Sequence, residues 1–146
     1  MLKDDYTINI TGRQVYEEED TGEVCLSTTG TYSEREGVRF IAYKEYDEED
    51  PRLSHTAVLK VEPGKVTMIR AGSSTRLILE LGRRHFCHYD TGFGSLTVGV
   101  FTSELKEALH SRGGSLEIKY TLDIDSNLSS SNELLVEVIP LPEPRC

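Results

Sequence analysis

The sequence predicts an all-β fold, an antiparallel up-and-down β-barrel of about ten strands. Three observations predict it. Turn signals carrying glycine recur at short intervals: "DTGE" (20–23), "EREG" (34–37), "EPGK" (62–65), "AGSS" (71–74), "LGRR" (81–84), "DTGFG" (90–94) and "SRGG" (111–114). Glycine supplies the positive φ that tight hairpins demand, so turns at this spacing join consecutive antiparallel strands. Between the turns, apolar and polar residues alternate with the period of a strand that has one wet and one buried face. The length, 146 residues, is that of a single domain with one sizeable core.

In chain order, alternation first shows at Val24 and Leu26, then at Val38, Phe40 and Ala42. On the stretch 38–46 the opposite parity, Ile41 and Tyr43, is apolar too, so both facings remain open there. Ala57, Leu59 and Val61 mark the next strand, Val66 and Met68 the one after "EPGK", and Leu77, Leu79 and Leu81 the one after "AGSS". Leu96, Val98 and Val100 follow the strand that holds "RRHFCHYD". "SELKEALHS" (103–111) spaces Leu105, Ala108 and Leu109 as a helix would, and both a short helix and the tail of a bent strand fit it. The clearest strand is "SLEIKYTLDID", where Leu116, Ile118, Tyr120, Leu122 and Ile124 alternate with charged or hydroxylic residues. Leu134, Val136 and Val138 form the last strand of a barrel domain expected over residues 1–140, and "LPEPRC" (141–146) reads as an extended proline-rich tail.

The order of "TTGTY" (28–32), "YKEY" (43–46), "VTMIRAG" (66–72) and "HYDTGFGSLTVGVFT" (88–102), followed by a long alternating strand, resembles the YwiB-like family of small bacterial proteins of unknown function. The resemblance covers nearly the whole chain apart from the tail. It implies a calycin-type, lipocalin-like barrel and favours strand for 103–111, but it carries no reaction and no ligand.

Composition narrows the function classes. A formal net charge of -9 disfavours nucleic acid and anionic membrane surfaces, which need a basic stripe. No apolar run approaches the ~20 residues of a spanning helix, and "MLKDDYTINI" lacks the regions of a signal peptide. A cytoplasmic protein is expected, with Cys25, Cys87 and Cys146 as reduced thiols. If turns alternate between the two barrel ends, one end collects "EEED" (17–20), "DEED" (47–50), Asp90 and Asp125, and the other Arg35, Lys65, Arg83, Arg84 and Arg112. The barrel is therefore expected to be electrically polar along its axis. The acidic runs lack the spaced ligands and glycine of a calcium loop and read as solvated turns.

"RRHFCHYDTGFG" (83–94) gathers histidines, a cysteine and an aspartate, as a metal or catalytic site would. Strand parity splits them: Arg84, Phe86, His88 and Asp90 share one face, and His85, Cys87, Tyr89 and Thr91 the other. Neither face provides the four ligands of a zinc site, and no nucleophile accompanies the His88 and Asp90 pair. The glycines turn the chain and lack the lysine of a phosphate loop. No metal, no cofactor and no enzymatic activity is expected.

Arg70 is the interior polar group that demands a partner, because it continues the inward parity of Val66 and Met68 and an unpaired buried guanidinium is prohibitively costly. Glu45 is its best internal partner. Alternatively Arg70 anchors the polar end of an amphiphilic ligand, with Tyr43 and Tyr120 among the walls. The leading expectation is a non-enzymatic barrel that binds a small apolar or amphiphilic molecule at Arg70, Tyr43, Glu45 and Tyr120, which requires a pocket of roughly 300 Å³ or more. The competing expectation is a structural or protein-interaction module with a filled barrel; a homodimer is compatible with either.

Overall fold

The computed structural model describes residues 6–16, 21–46, 54–71, 75–90, 94–124 and 127–141. Ten strands follow one another around a closed barrel: β1 (Tyr6–Tyr16), β2 (Thr21–Arg35), β3 (Val38–Tyr46), β4 (Ser54–Glu62), β5 (Lys65–Arg70), β6 (Arg76–Glu80), β7 (Arg84–Asp90), β8 (Ser95–His110), β9 (Gly113–Ile124) and β10 (Asn127–Pro140). β1 pairs with β10 and closes the ring, from Tyr6 opposite Pro140 to Tyr16 opposite Ser130. Closure gives every strand a neighbour on both sides. Because consecutive strands are neighbours, their connections alternate between two ends of the barrel.

Turn chemistry fixes the hairpins at one end. Glu36 and Gly37 both have positive φ, 55° and 82°, the conformation of a two-residue turn whose twist matches that of its flanking strands. Inside the wall, Gly30 is required by proximity: a Cβ there would overlap the Ala42 carbonyl. Gly30 sits where β2 leaves β1 and takes up β3, opposite Tyr6 on one side and Tyr43 on the other.

The interior follows the predicted alternation on most strands. Ala57, Leu59 and Val61, then Val66 and Met68, and Leu134, Val136 and Val138 are buried. On β3 the inward set is Ile41 and Tyr43, while Val38, Phe40 and Ala42 are only partly buried and face outward. Register decides the point that apolarity left open: Ile41 lies opposite Leu59 and Tyr43 opposite Ala57, both core residues of β4. Leu81, Leu96 and Ile124 continue apolar series past the buried region and are exposed.

The segment 103–111 is strand, not helix, apart from the turn residue Ser111. Leu105 and Leu109, four residues apart, share the inward face of the strand while Ala108 is exposed on the other, and a bulge between Thr102 and Glu104 shifts the ladder with β9. Ser103 is the extra residue, so inward parity passes from Val98, Val100 and Thr102 to Leu105 and Leu109. Leu141 is exposed, and the rest of the predicted tail lies outside the described residues.

The two halves of the barrel differ. Toward the β2–β3, β4–β5, β6–β7 and β8–β9 connections, Ile8, Ile41, Leu59, Leu79, Leu116 and Ile118 are fully buried, each worth about 1.5–3 kcal/mol. The floor below them is sealed. The Tyr6 and Tyr32 rings meet edge-on at 5.4 Å, and the Tyr32 hydroxyl donates to the His110 carbonyl and accepts from Arg39 Nη1, both at 2.7 Å. Arg39 also reaches Glu34 at 3.5 Å and Glu107 at 3.6 Å. This end was expected to be basic, and it is mixed: Arg83 pairs with Glu80, Lys60 with Glu62, and Arg84 is spent on Asp123. The acidic runs of the opposite end lie outside the described residues.

Candidate functional site

The half of the barrel at the opposite end is not filled. A cavity of about 290 Å³ opens there, walled by aliphatic side chains such as Ile10, Met68 and Leu134, by three tyrosines, Tyr43, Tyr89 and Tyr120, and by the polar residues Arg13, Gln14, Glu45, Arg70, Asn132 and Glu133. Strand ends place them: Tyr43 and Glu45 close β3, Arg70 ends β5, Tyr89 nearly ends β7, and Tyr120 lies in the second half of β9. All four residues singled out in the sequence, Arg70, Tyr43, Glu45 and Tyr120, thus line one cavity.

Arg70 and Glu45 meet through Nε and Oε1 at 3.1 Å. Both retain about a third of their side-chain exposure, 33% and 28%, so the pair faces the cavity instead of being entombed. Burial works against the Arg70 charge, but the Glu45 carboxylate outweighs it and holds the guanidinium firmly protonated. Tyr43, 6% exposed, shares a row of the sheet with Arg70, since Ala57 opposes Tyr43 on one side and Arg70 on the other. Burial, with Glu45 beside it, pushes the Tyr43 phenol well above its ordinary value. Burial and the neighbouring Tyr89 raise Tyr120 likewise, against a smaller opposing pull from Arg70. Both phenols stay protonated at neutral pH and act as neutral hydrogen-bonding groups on an otherwise apolar wall.

Several wall residues escaped the sequence, Arg13 and Glu133 at the cavity rim among them. Tyr89 shares the inward parity of buried Cys87 and was legible from that strand alone. Asn132 continues the Leu134, Val136 and Val138 series backward by one step; it is 3% exposed, donates Nδ2 to Ser130 Oγ at 3.1 Å, and leaves Oδ1 unpaired. Gly12 lies on the β1 wall between Ile10 and Gln14, and a Cβ there would meet nothing within 4 Å. A larger side chain could occupy that space without displacing protein.

The residues of "RRHFCHYD" do not form a site. Cys87 is buried, and burial raises its thiol above the ordinary range; its sulfur accepts the Ile78 N–H at 3.3 Å. His85 Nε2 lies 2.8 Å from Glu80 Oε1 near the floor. His88 and Phe86 are on the outer face, where the Arg84 guanidinium lies 4.7 Å over the Phe86 ring. Among the described residues no group of three or more histidines, cysteines or carboxylates converges as metal ligands would. The Asp90 side chain and Thr91 lie outside the described set.

Comparison with known proteins places this architecture. A family model for a domain of unknown function, DUF1934, matches residues 8–136. The chain belongs to the DUF1934 family. The YwiB-like kinship implied by the motifs agrees with this DUF1934 assignment: the crystal structure of the ywiB protein from Bacillus subtilis superposes with a TM-score of 0.80 at 17% identity, covering 94% of this chain and 92% of that one. At that identity the likeness shows the fold, a closed barrel, and nothing of a ligand. No curated protein matches this DUF1934 chain. No helix among the described residues is long and apolar enough to cross a membrane.

Proposed function

We propose that this DUF1934 protein is a non-enzymatic, calycin-like barrel of the cytoplasm that holds a small amphiphilic molecule in the open half of its interior. The polar end of the ligand lies at the Arg70 and Glu45 pair, and its body lies against Tyr43, Tyr120 and the aliphatic wall. The observation that carries this reading is the asymmetry of filling: one half of the barrel is packed to closure and floored, while the other keeps a cavity that Gly12 enlarges. At about 290 Å³ the cavity sits at the lower bound of ligand pockets, roughly 300 Å³, so the ligand is small and not a long-chain lipid.

A second reading, a protein-interaction module or homodimer, is favoured by the outer wall, where Phe86 is 70% exposed beside the partly exposed Phe101. Native mass spectrometry of protein taken directly from its host addresses both. The carrier reading expects a non-peptide mass retained on the wild-type monomer and lost from Gly12→Leu. Bare chain masses in both proteins, with a dimer as the main species, would favour the module.

A further inference from the structure

Resting on that reading, the groups around the cavity specify the polar end of the ligand. We propose that the cavity takes a small carboxylate monoanion, received by the terminal amino groups of Arg70 and the tyrosine hydroxyls around them, with Arg13 at the rim balancing its charge. Arg70 donates to Glu45 Oε1 through Nε, the nitrogen nearest the stem, at 3.1 Å. Among the described residues Glu45 is the one side-chain acceptor that the guanidinium holds. A guanidinium carries more N–H groups than one carboxylate oxygen can use, and with Nε engaged its outer fork remains for a second, planar acceptor. Arg70 lines the cavity and keeps 33% of its side-chain exposure, which puts that fork within reach of a ligand there. The phenols supply further donors. Arg70 acts electrostatically on Tyr43 and Tyr120, and Tyr89 acts on Arg70, so the three phenol ends gather around the guanidinium. Burial keeps Tyr43 and Tyr120 protonated, and each has a hydrogen to donate. A carboxylate offers about four lone-pair sites, half of them for the fork and the rest for the hydroxyls.

The charge balance decides the valence. Arg70 and Glu45 cancel, so a bound anion needs a further cation. Glu133, the other carboxylate of the wall, leans to the outer face, where its Oε1 lies 4.0 Å from Lys119 Nζ. Arg13 lies between Glu133 and Glu23 in register, yet it has no ion-pair partner among the described residues and reaches the cavity rim instead. A single cation is thus left at the mouth, and it answers a single negative charge. A phosphate monoester, which carries nearly two charges at neutral pH, exceeds it. A neutral amide gains hydrogen bonds from the fork but not the charge.

Three matched probes test this in the full chain, 4-methylbenzoate, 4-methylbenzamide and 4-methylphenyl phosphate, which share a ring and differ in the charge of the head. Binding is followed by the NMR shift of the Gly12 amide. Wild type is expected to bind the benzoate about tenfold more tightly than the benzamide, and the phosphate more weakly than the benzoate. In Arg70→Met the preference for benzoate over benzamide disappears. Arg13→Gln, at the exposed rim, leaves the Arg70 and Glu45 pair alone and keeps the test open if the loss of Arg70 disturbs the fold. There the benzoate weakens about threefold and the benzamide is unchanged. Tightest binding of the benzamide or the phosphate to wild type, or a benzoate preference that survives Arg70→Met, would overturn the carboxylate class and leave the cavity as the site. Undiminished benzoate affinity in Arg13→Gln would overturn the charge balance. Absence of a Gly12 shift with all three probes would overturn the site itself.

Discussion

At the scale of single residues, burial sets the protonation of the cavity wall, and pH reads it out. Tyr43 and Tyr120 keep their protons in the fold beyond the point, near pH 10, at which the phenols of an unfolded chain lose theirs. Below about pH 10 both states are protonated and neither tyrosine contributes a slope. Above it the unfolded chain binds fewer protons than the fold, so stability falls as pH rises, by up to about 1.4 kcal/mol per pH unit for each phenol held neutral. Tyr43→Phe is therefore expected to move the alkaline unfolding midpoint upward, and Tyr43→Phe with Tyr120→Phe to move it further. Circular dichroism from pH 9 to 12 checks it; an unmoved alkaline limb in the double variant would show that these phenols are not held neutral. Arg70 was legible in the sequence because Val66 and Met68 fix its parity. Glu45 was legible only as a candidate, since both parities of β3 are apolar and register with β4 decides between them. Asn132 was not, because a polar residue at the end of an apolar series looks like a strand end until the ring of strands is closed.

At the scale of elements, the wall is uneven. β8, β9 and β10 are long and laddered along most of their length, with one bulge in each ladder, but β6 and β7 share one paired position, Arg76 with His88. Side chains close the rest of that seam: Cys87 Sγ accepts the Ile78 N–H, and His85 meets Glu80. Sulfur thus stands in for a backbone carbonyl. Cys87→Val, which keeps an apolar side chain of similar bulk and removes the acceptor, is expected to lose about 1–3 kcal/mol in urea unfolding, with faster hydrogen exchange at the Ile78 amide. Undiminished stability with unchanged exchange would mean that the sulfur contact carries nothing. The same seam explains why the histidine and cysteine cluster misleads in one dimension: its members close a gap between strands and do not converge. The helical spacing of 103–111 misleads for a different reason: Leu105 and Leu109, four apart, share a face in a strand as well as in a helix, and Ala108, which completes the helical pattern, is exposed on the outer wall.

At the scale of the whole molecule, sequence periodicity and turn spacing were enough for a ten-stranded ring, since each is local. The cavity was not legible, because it depends on how ten strands stagger and on which interior positions are small. Gly12 shows the difficulty: in the sequence it is one more glycine in a strand, and in the barrel it is an unfilled place on the ligand wall. Of the axial charge polarity expected from turn composition, the acidic runs lie outside the described residues, and the end expected to be basic is mixed. Carboxylates from neighbouring strands reach the basic turns and pair with them. What the barrel keeps is an asymmetry of filling, one half closed and one half open, and the account rests on that open half being a binding site. Its most direct test is a fluorescence titration of wild type and Gly12→Leu with the neutral probe N-phenyl-1-naphthylamine, alongside thermal melts of both. The account predicts saturable one-to-one binding to wild type, binding at least about tenfold weaker to Gly12→Leu, and melting temperatures that do not fall. Equal binding by the two proteins would contradict it.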